Sequence, residues 1–187
     1  MNTTNDATAK TTWTLDPAHT AVGFSVRHLM ITNVRGEFQS VSGTVRYDAD
    51  KPEATAILVT LPAASIHTRE AQRDAHLRSA EFFDAEHHPT ITFRSTRARA
   101  VGARALEVTG DLTIRGTTRE VTLAVVEITG EQRDFQGKTR IGASATTKIS
   151  RSDFGMTFNK VLEAGGIALG DEVSLTLDVS LVKDTAP

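Results

Sequence analysis

At 187 residues with a formal charge of −2, the chain fits a single domain, large enough to bury a core or to enclose a cavity. That charge, with no basic stripe in the strand segments, argues against nucleic acid as a partner. The absence of cysteine excludes disulfides, thiolate catalysis and cysteine-ligated zinc.

In chain order, residues 1–11 are polar and threonine-rich, with no apolar core or small-residue cleavage site of a secretory signal. They read as a disordered lead-in to a cytoplasmic protein. No apolar run is long enough to span a bilayer, so no transmembrane segment is expected. After a strand at 12–16, Val22, Phe24, Val26, His28 and Met30 share one face of a second strand, with Gly23, Ser25 and Arg27 on the other. A third stretch, 34–47, loses its alternation around Ser40-Val41-Ser42-Gly43, which suggests a bulge or bend. A strand at 53–61 precedes the one strong helical segment, Thr68 to His76, with Thr68 as N-cap and Glu70 in the first turn. A short turn over Ser79–Asp84 follows. His88-Pro89 then drives the chain into a strand at 90–100.

Beyond it, Leu106, Val108, Gly110, Leu112 and Ile114 alternate with polar residues. A tight reversal at Arg115-Gly116-Thr117-Thr118 leads to Val121, Leu123 and Val125. Strands at 138–150, with Ala143 and Ala145 facing inward, and at 173–181 complete the series. Gly165, Gly166 and Gly170 are spaced too irregularly for a phosphate loop and read as a flexible turn. Eight or nine half-buried antiparallel strands with one helix predict a closed barrel or a sandwich. A barrel of eight is near the size at which the interior either fills with side chains or holds one small ligand.

The residues that could carry chemistry are weighed against blander roles. His87 and His88 are adjacent, and no H-x-H, H-x-x-x-H or H-E-x-x-H spacing occurs, so no metal and no cofactor are expected. No G-x-S-x-G elbow is present, and Asp153-Phe154-Gly155 spells the kinase magnesium triplet without any of its companions. Paired carboxylates for glycoside hydrolysis cannot be picked out of a linear sequence. His28 reads first as a hydrogen-bonded core residue, with a polar contact to a ligand as the sharper alternative. Arg69, Arg73 and His76 fall on one side of the helix, and Asp74–Arg78 forms an i, i+4 pair. These read as a solvated face; overhanging a barrel mouth, the guanidiniums could hold a phosphate. Seven of the eight phenylalanines fall at inward or lid positions: Phe24, Phe38, Phe82, Phe83, Phe93, Phe154 and Phe158.

Four stretches resemble the YceI-like proteins: WTLDPAHTAVGFSVRHLMITNVRGEF (13–38), SIHTREAQRDAHLRSAEFFDAEHHPTITFRST (65–96), VTGDLTIRGTTREVTL (108–123) and SRSDFGM (150–156). The second carries an R-D-x-H-L-R-S-x-x-F-F-D core. The resemblance spans about residues 12–183, between the lead-in and a short tail at 184–187. It implies a lipocalin-like, eight-stranded antiparallel barrel with one short helix near its opening. It also implies a homodimer that binds a polyisoprenoid or other long-chain amphiphile in an apolar tunnel, with no catalytic residues. Many members carry a secretory signal, and residues 1–11 do not read as one. The expected tunnel residues are Phe24, Val26, Phe38, Phe82, Phe83, Phe93, Leu112, Phe154, Met156 and Leu175. The expected polar end is His28, Arg69, Arg73 and Arg78. The competing readings are an enzyme acting on an isoprenoid-type substrate and a stress-related structural module with a filled barrel.

Overall fold

The structure, a computed structural model, describes residues 11–161 and 168–184. The expected lead-in, apart from Thr11, and Gly165 and Gly166 lie outside the described residues. The strands are β1 (Thr12–Leu15), β2 (Ala21–His28), β3 (Thr32–Phe38), β4 (Ser42–Arg46), β5 (Ala56–Pro62) and β6 (Ile66–His67), followed by the helix α1 (Ala71–Arg78). Then come β7 (Thr90–Gly102), β8 (Ala105–Ile114), β9 (Thr117–Val126), β10 (Gln132–Arg133), β11 (Thr139–Ser150) and β12 (Leu169–Lys183). Gly170 lies within β12 rather than in a turn.

Eight strands close a ring of antiparallel neighbours, β1-β4-β5-β7-β8-β9-β11-β12, and β12 pairs back onto β1. Closure leaves the ring without free edges. Along one edge of β12, β1 and β2 follow each other, pairing at Leu181–Lys183 and at Leu169–Asp178 respectively. They act as one strand bent at residues 16–20. β3 and β4 are the matching broken pair, interrupted at 39–41 where the sequence pattern faltered. The β2–β3 hairpin therefore rises beyond the ring, and β6 adds to its far edge.

The alternation read from the sequence sets the inner face. Leu106, Val108, Leu112 and Ile114 of β8 are all below 9% exposed. The same period breaks at Met30, which sits in the β2–β3 turn, 56% exposed, because β2 ends at His28. At Gly110 a Cβ would collide with the Arg94 carbonyl and lie 2.7 Å from the Phe93 ring, which occupies the space a side chain there would take. The reversal after β8 has Arg115 at φ 50° and Gly116 at φ 70°, the two left-handed positions of a tight two-residue hairpin turn.

Two expectations about α1 fail. Glu70, not Thr68, is the N-cap, its carboxylate accepting from the amides of Gln72 and Arg73. Asp74 and Arg78 do not pair with each other. Asp74 is buried and accepts from the Thr68 amide (2.8 Å) and hydroxyl, while Arg78 donates to the carbonyls of Ala64 (2.9 Å) and Ile66 (3.0 Å). Both side chains are turned toward β6 and its flanking residues, partners that helical spacing does not reveal. The turn after the helix is as expected, closed by the Asp84 amide on the Ser79 carbonyl.

Candidate ligand-binding site

The ring is hollow. A cavity of about 480 Å³ runs through it, a size that encloses a sizeable organic ligand. Such a void decides against the filled-barrel alternative. Its lining is overwhelmingly aliphatic and aromatic, because the period-two strands turn their apolar face inward.

At one end the wall closes over Leu15, Val45, Ile141 and Leu181, all buried. Thr20, Tyr47 and Thr55 are polar lining residues there, and burial first, then Asp48, raises the Tyr47 pKa. At the other end β2 and β3 contribute Phe24, Val26, His28, Val34 and Phe38. Two aromatic groups meet above them. Phe38 stands edge-on to Phe83 with centroids 5.8 Å apart and packs tilted on Phe24 at 6.1 Å. His76 of α1 stands edge-on to Phe82 at 5.0 Å and to Phe158 at 4.8 Å. The stretch 79–89 thus holds Phe82 and Phe83 against the opening, as a cover.

Of the residues expected to form the tunnel, Phe24, Val26, Phe38, Phe82, Phe83, Phe93, Leu112, Met156 and Leu175 line the cavity. Phe154 does not: it is 1% exposed and packs outside the lining, beside Val121 and Ile149. Of the expected polar end, His28 and Arg73 line it, and Arg69 and Arg78 stand apart. Arg69 is exposed in the turn before α1, at φ 65°, and Arg78 is tied to carbonyls beneath the helix.

Sequence reasoning missed Arg151, Asn159 and Lys160, which the structure brings to the lining. Arg151 is 5% exposed, and burial, opposed by Asp171, lowers its pKa. It donates to the carbonyls of Gly170 (2.9 Å), Phe158 (2.9 Å) and Met156, pinning the 156–158 stretch against the wall. The Asn159 side chain clasps the backbone of Leu169 in both directions, at 2.7 and 3.0 Å. The only sequence signal for these was the SRSDFGM stretch, which names Arg151 without saying where it points.

Most polar groups at this end are therefore committed to holding the wall. Arg73 donates Nε to the Thr68 hydroxyl and Nη2 to the Thr68 carbonyl, both at 2.8 Å, and His76 meets Glu81. Among the described residues the rings and amine of His28 and Lys160 carry no such tie. No cluster of three His, Asp or Glu side chains suited to a metal occurs among the described residues.

The YceI-like domain model matches residues 13–181, nearly the whole described barrel. The chain belongs to the YceI-like family. A UPF0312 protein of Ectopseudomonas mendocina is 40% identical over 139 residues, covering 74% of this chain and 72% of that protein. The crystal structure of the Campylobacter jejuni YceI protein superposes with a TM-score of 0.72 at 33% identity, covering 91% of this chain and 97% of that one. A polyisoprenoid binding domain from Saccharophagus degradans has a TM-score of 0.68 over 92% of this chain and 98% of its own. At 14% identity it shares the fold alone. What the YceI-like barrel offers chemically is a long apolar enclosure with a few polar groups gathered at its helix end.

Proposed function

We propose that this YceI-like chain binds a polyisoprenoid, or a similar long-chain amphiphile, in the barrel cavity and leaves it chemically unchanged, for carriage, storage or sequestration. The observation that carries the reading is the hollow, apolar interior of about 480 Å³. Each methylene transferred into it contributes about 0.8 kcal/mol, so one five-carbon unit contributes about 4 kcal/mol before the cost of ordering the tail. Few directional contacts are then needed. The kinship in fold with a polyisoprenoid binding domain supports the ligand class. Binding is favoured over catalysis because Arg73, Arg151 and Asn159, which a reaction would recruit, spend their hydrogen bonds on the protein's own backbone and hydroxyls.

The headgroup would lie at the helix end, by His28, Arg73 and Lys160. The test is native mass spectrometry of the purified chain equilibrated with polyprenols of graded length. One intact ligand per barrel is expected, with affinity rising with length to a plateau. No adduct, or a ligand of altered mass, would overturn the proposal. Arg73→Ala is expected to weaken a polyprenyl pyrophosphate more than the matching alcohol; equal losses would assign Arg73 to holding Thr68 only.

A further inference from the structure

The β2–β3 hairpin, which overshoots the ring at the cavity's helix end, divides its residues into three zones. Val26 and Val34, paired across the hairpin, face the cavity. Arg27 and Arg35 alternate to the opposite face. The tip is Leu29, Met30 and Ile31, at 36%, 56% and 74% exposed. The Leu29 amide donates to the Ala168 carbonyl, and the Ala168 amide to the Lys160 carbonyl, which sets Val161, 84% exposed, beside the tip. Four large apolar side chains thus stand in water at the rim of an apolar cavity.

The backbone of the tip is unusual for what it carries. Leu29 has φ 50° and Met30 φ 59°, left-handed positions that ordinarily take glycine or asparagine. A turn that only reversed the chain would use Asn-Gly and avoid the strain. Strain of this kind persists where the side chains themselves are used. The hairpin also carries positive charge on its outer face. Arg27 Nε donates to the Met30 carbonyl at 3.2 Å, drawing its guanidinium to the turn, and Arg35 lies further along the same outer face of the hairpin. The ion pairs of the described residues engage other cations, among them Arg99, Arg140, Lys148 and Lys183. The neighbouring acids are Asp171, which accepts from Ser152, Glu172, which pairs with Lys148, and Glu37, two residues beyond Arg35 and further from the tip.

We infer that the β2–β3 tip is a membrane-docking element, inserting Leu29, Met30 and Ile31 into the headgroup layer of a bilayer that contains anionic phospholipids. Apolar side chains that enter the interface, flanked by cations that meet anionic lipid, are the two ingredients of reversible surface binding. A point of four residues is too small for a stable protein interface, which needs some 20–30 residues a side. Docked this way, the mouth of the cavity lies against the lipid, and a water-insoluble ligand passes between bilayer and barrel without crossing water. The inference rests on the lipid-binding reading for its purpose, though not for its geometry.

The test is flotation of the full chain with phosphatidylcholine vesicles, with and without phosphatidylglycerol. Binding to the anionic vesicles is expected, falling as salt is raised. A Leu29→Asn/Met30→Gly/Ile31→Ser variant relieves the turn strain, so it is expected to fold at least as stably and to lose binding by about tenfold or more. Arg27→Gln and Arg35→Gln are each expected to weaken it by roughly fivefold. Affinity for a short-chain prenol, measured without vesicles, is expected to be equal in wild type and tip variant, while transfer of a long polyprenol from vesicles slows in the variant. A wild type that does not float, or a tip variant that floats equally well, would overturn the inference. So would a tip variant that changes only the oligomeric state, which would make a second copy the partner. Absent prenol binding in every variant would sink the lipid-binding reading instead, leaving the flotation result intact.

Discussion

Asp74 shows how much a single buried side chain organises at the cavity's helix end. It is 5% exposed, and burial alone would raise its pKa. The hydroxyl and amide of Thr68 and the ring of His67 outweigh that penalty and hold the carboxyl below its ordinary 3.8. The same Thr68 receives Arg73, so cavity wall, helix and β6 are joined through one carboxylate. Because the folded pKa is depressed, the stabilisation is fully present above about pH 3.8 and is lost as pH falls through the folded value. Asp74→Asn is expected to cost about 1–3 kcal/mol at neutral pH, since the buried donors lose their anion. Urea unfolding across pH would show the gap between variant and wild type closing below pH 3.8. At the opposite end Asp16 follows the same sign. The Arg140 guanidinium, then His19, brings its pKa to about 2, and Arg140 also grips Asp134 at 2.6 Å. Asp16→Asn is therefore expected to flatten the acid limb of stability between pH 3.8 and about 2. Neither network was legible in the sequence. Spacing offered Asp74 a helical partner in Arg78, whereas its real partners are His67, at the end of β6, and Thr68 just after it.

At the scale of elements, period-two alternation made the strands and their inner faces legible, including the break between β3 and β4. It also accounts for six of the expected tunnel residues on the cavity wall, Phe24, Val26, Phe38, Phe93, Leu112 and Leu175, because a strand whose one face is apolar has only one way to turn in a barrel, whereas Phe82, Phe83 and Met156 reach the wall from the connections between strands. It could not reveal pairing lengths. β11 pairs with β12 over eleven residue pairs, Arg140–Ser150, but with β9 over three, Ser144–Thr146. Where β9 and β11 part, the short turn Arg151–Phe154 packs between them, and Phe154 is sunk there to 1% exposure. This explains why an apolar residue in a motif stretch lies outside the cavity: it fills a seam of the wall. Phe154→Ala is accordingly expected to destabilise by about 3–5 kcal/mol. Its effect on ligand affinity, per folded molecule, is expected to be small, and urea unfolding run beside a prenol titration separates the two. A large affinity loss at unchanged stability would put Phe154 in the site after all.

At the scale of the whole molecule, the void itself separates a binding barrel from an ordinary core. Interiors are normally packed so closely that added methylenes cost about 1–3 kcal/mol in strain. Ala143, partly buried and on the cavity wall, is paired in register with Val179. Ala143→Leu is therefore expected to go the other way. Its three added carbons enter the void and gain contacts, raising unfolding stability by about 1–2 kcal/mol. The same atoms take space from the tail of a bound amphiphile, so affinity for long polyprenols is expected to fall while short ones still bind. Such an exchange of stability for function is what a retained void implies, because a sequence selected for stability alone would have filled it. Urea unfolding and native mass spectrometry on the one variant measure both sides. If Ala143→Leu destabilised the chain by the usual cost of overpacking, the wall would be shown to close over that position in solution, and the cavity would be smaller than 480 Å³.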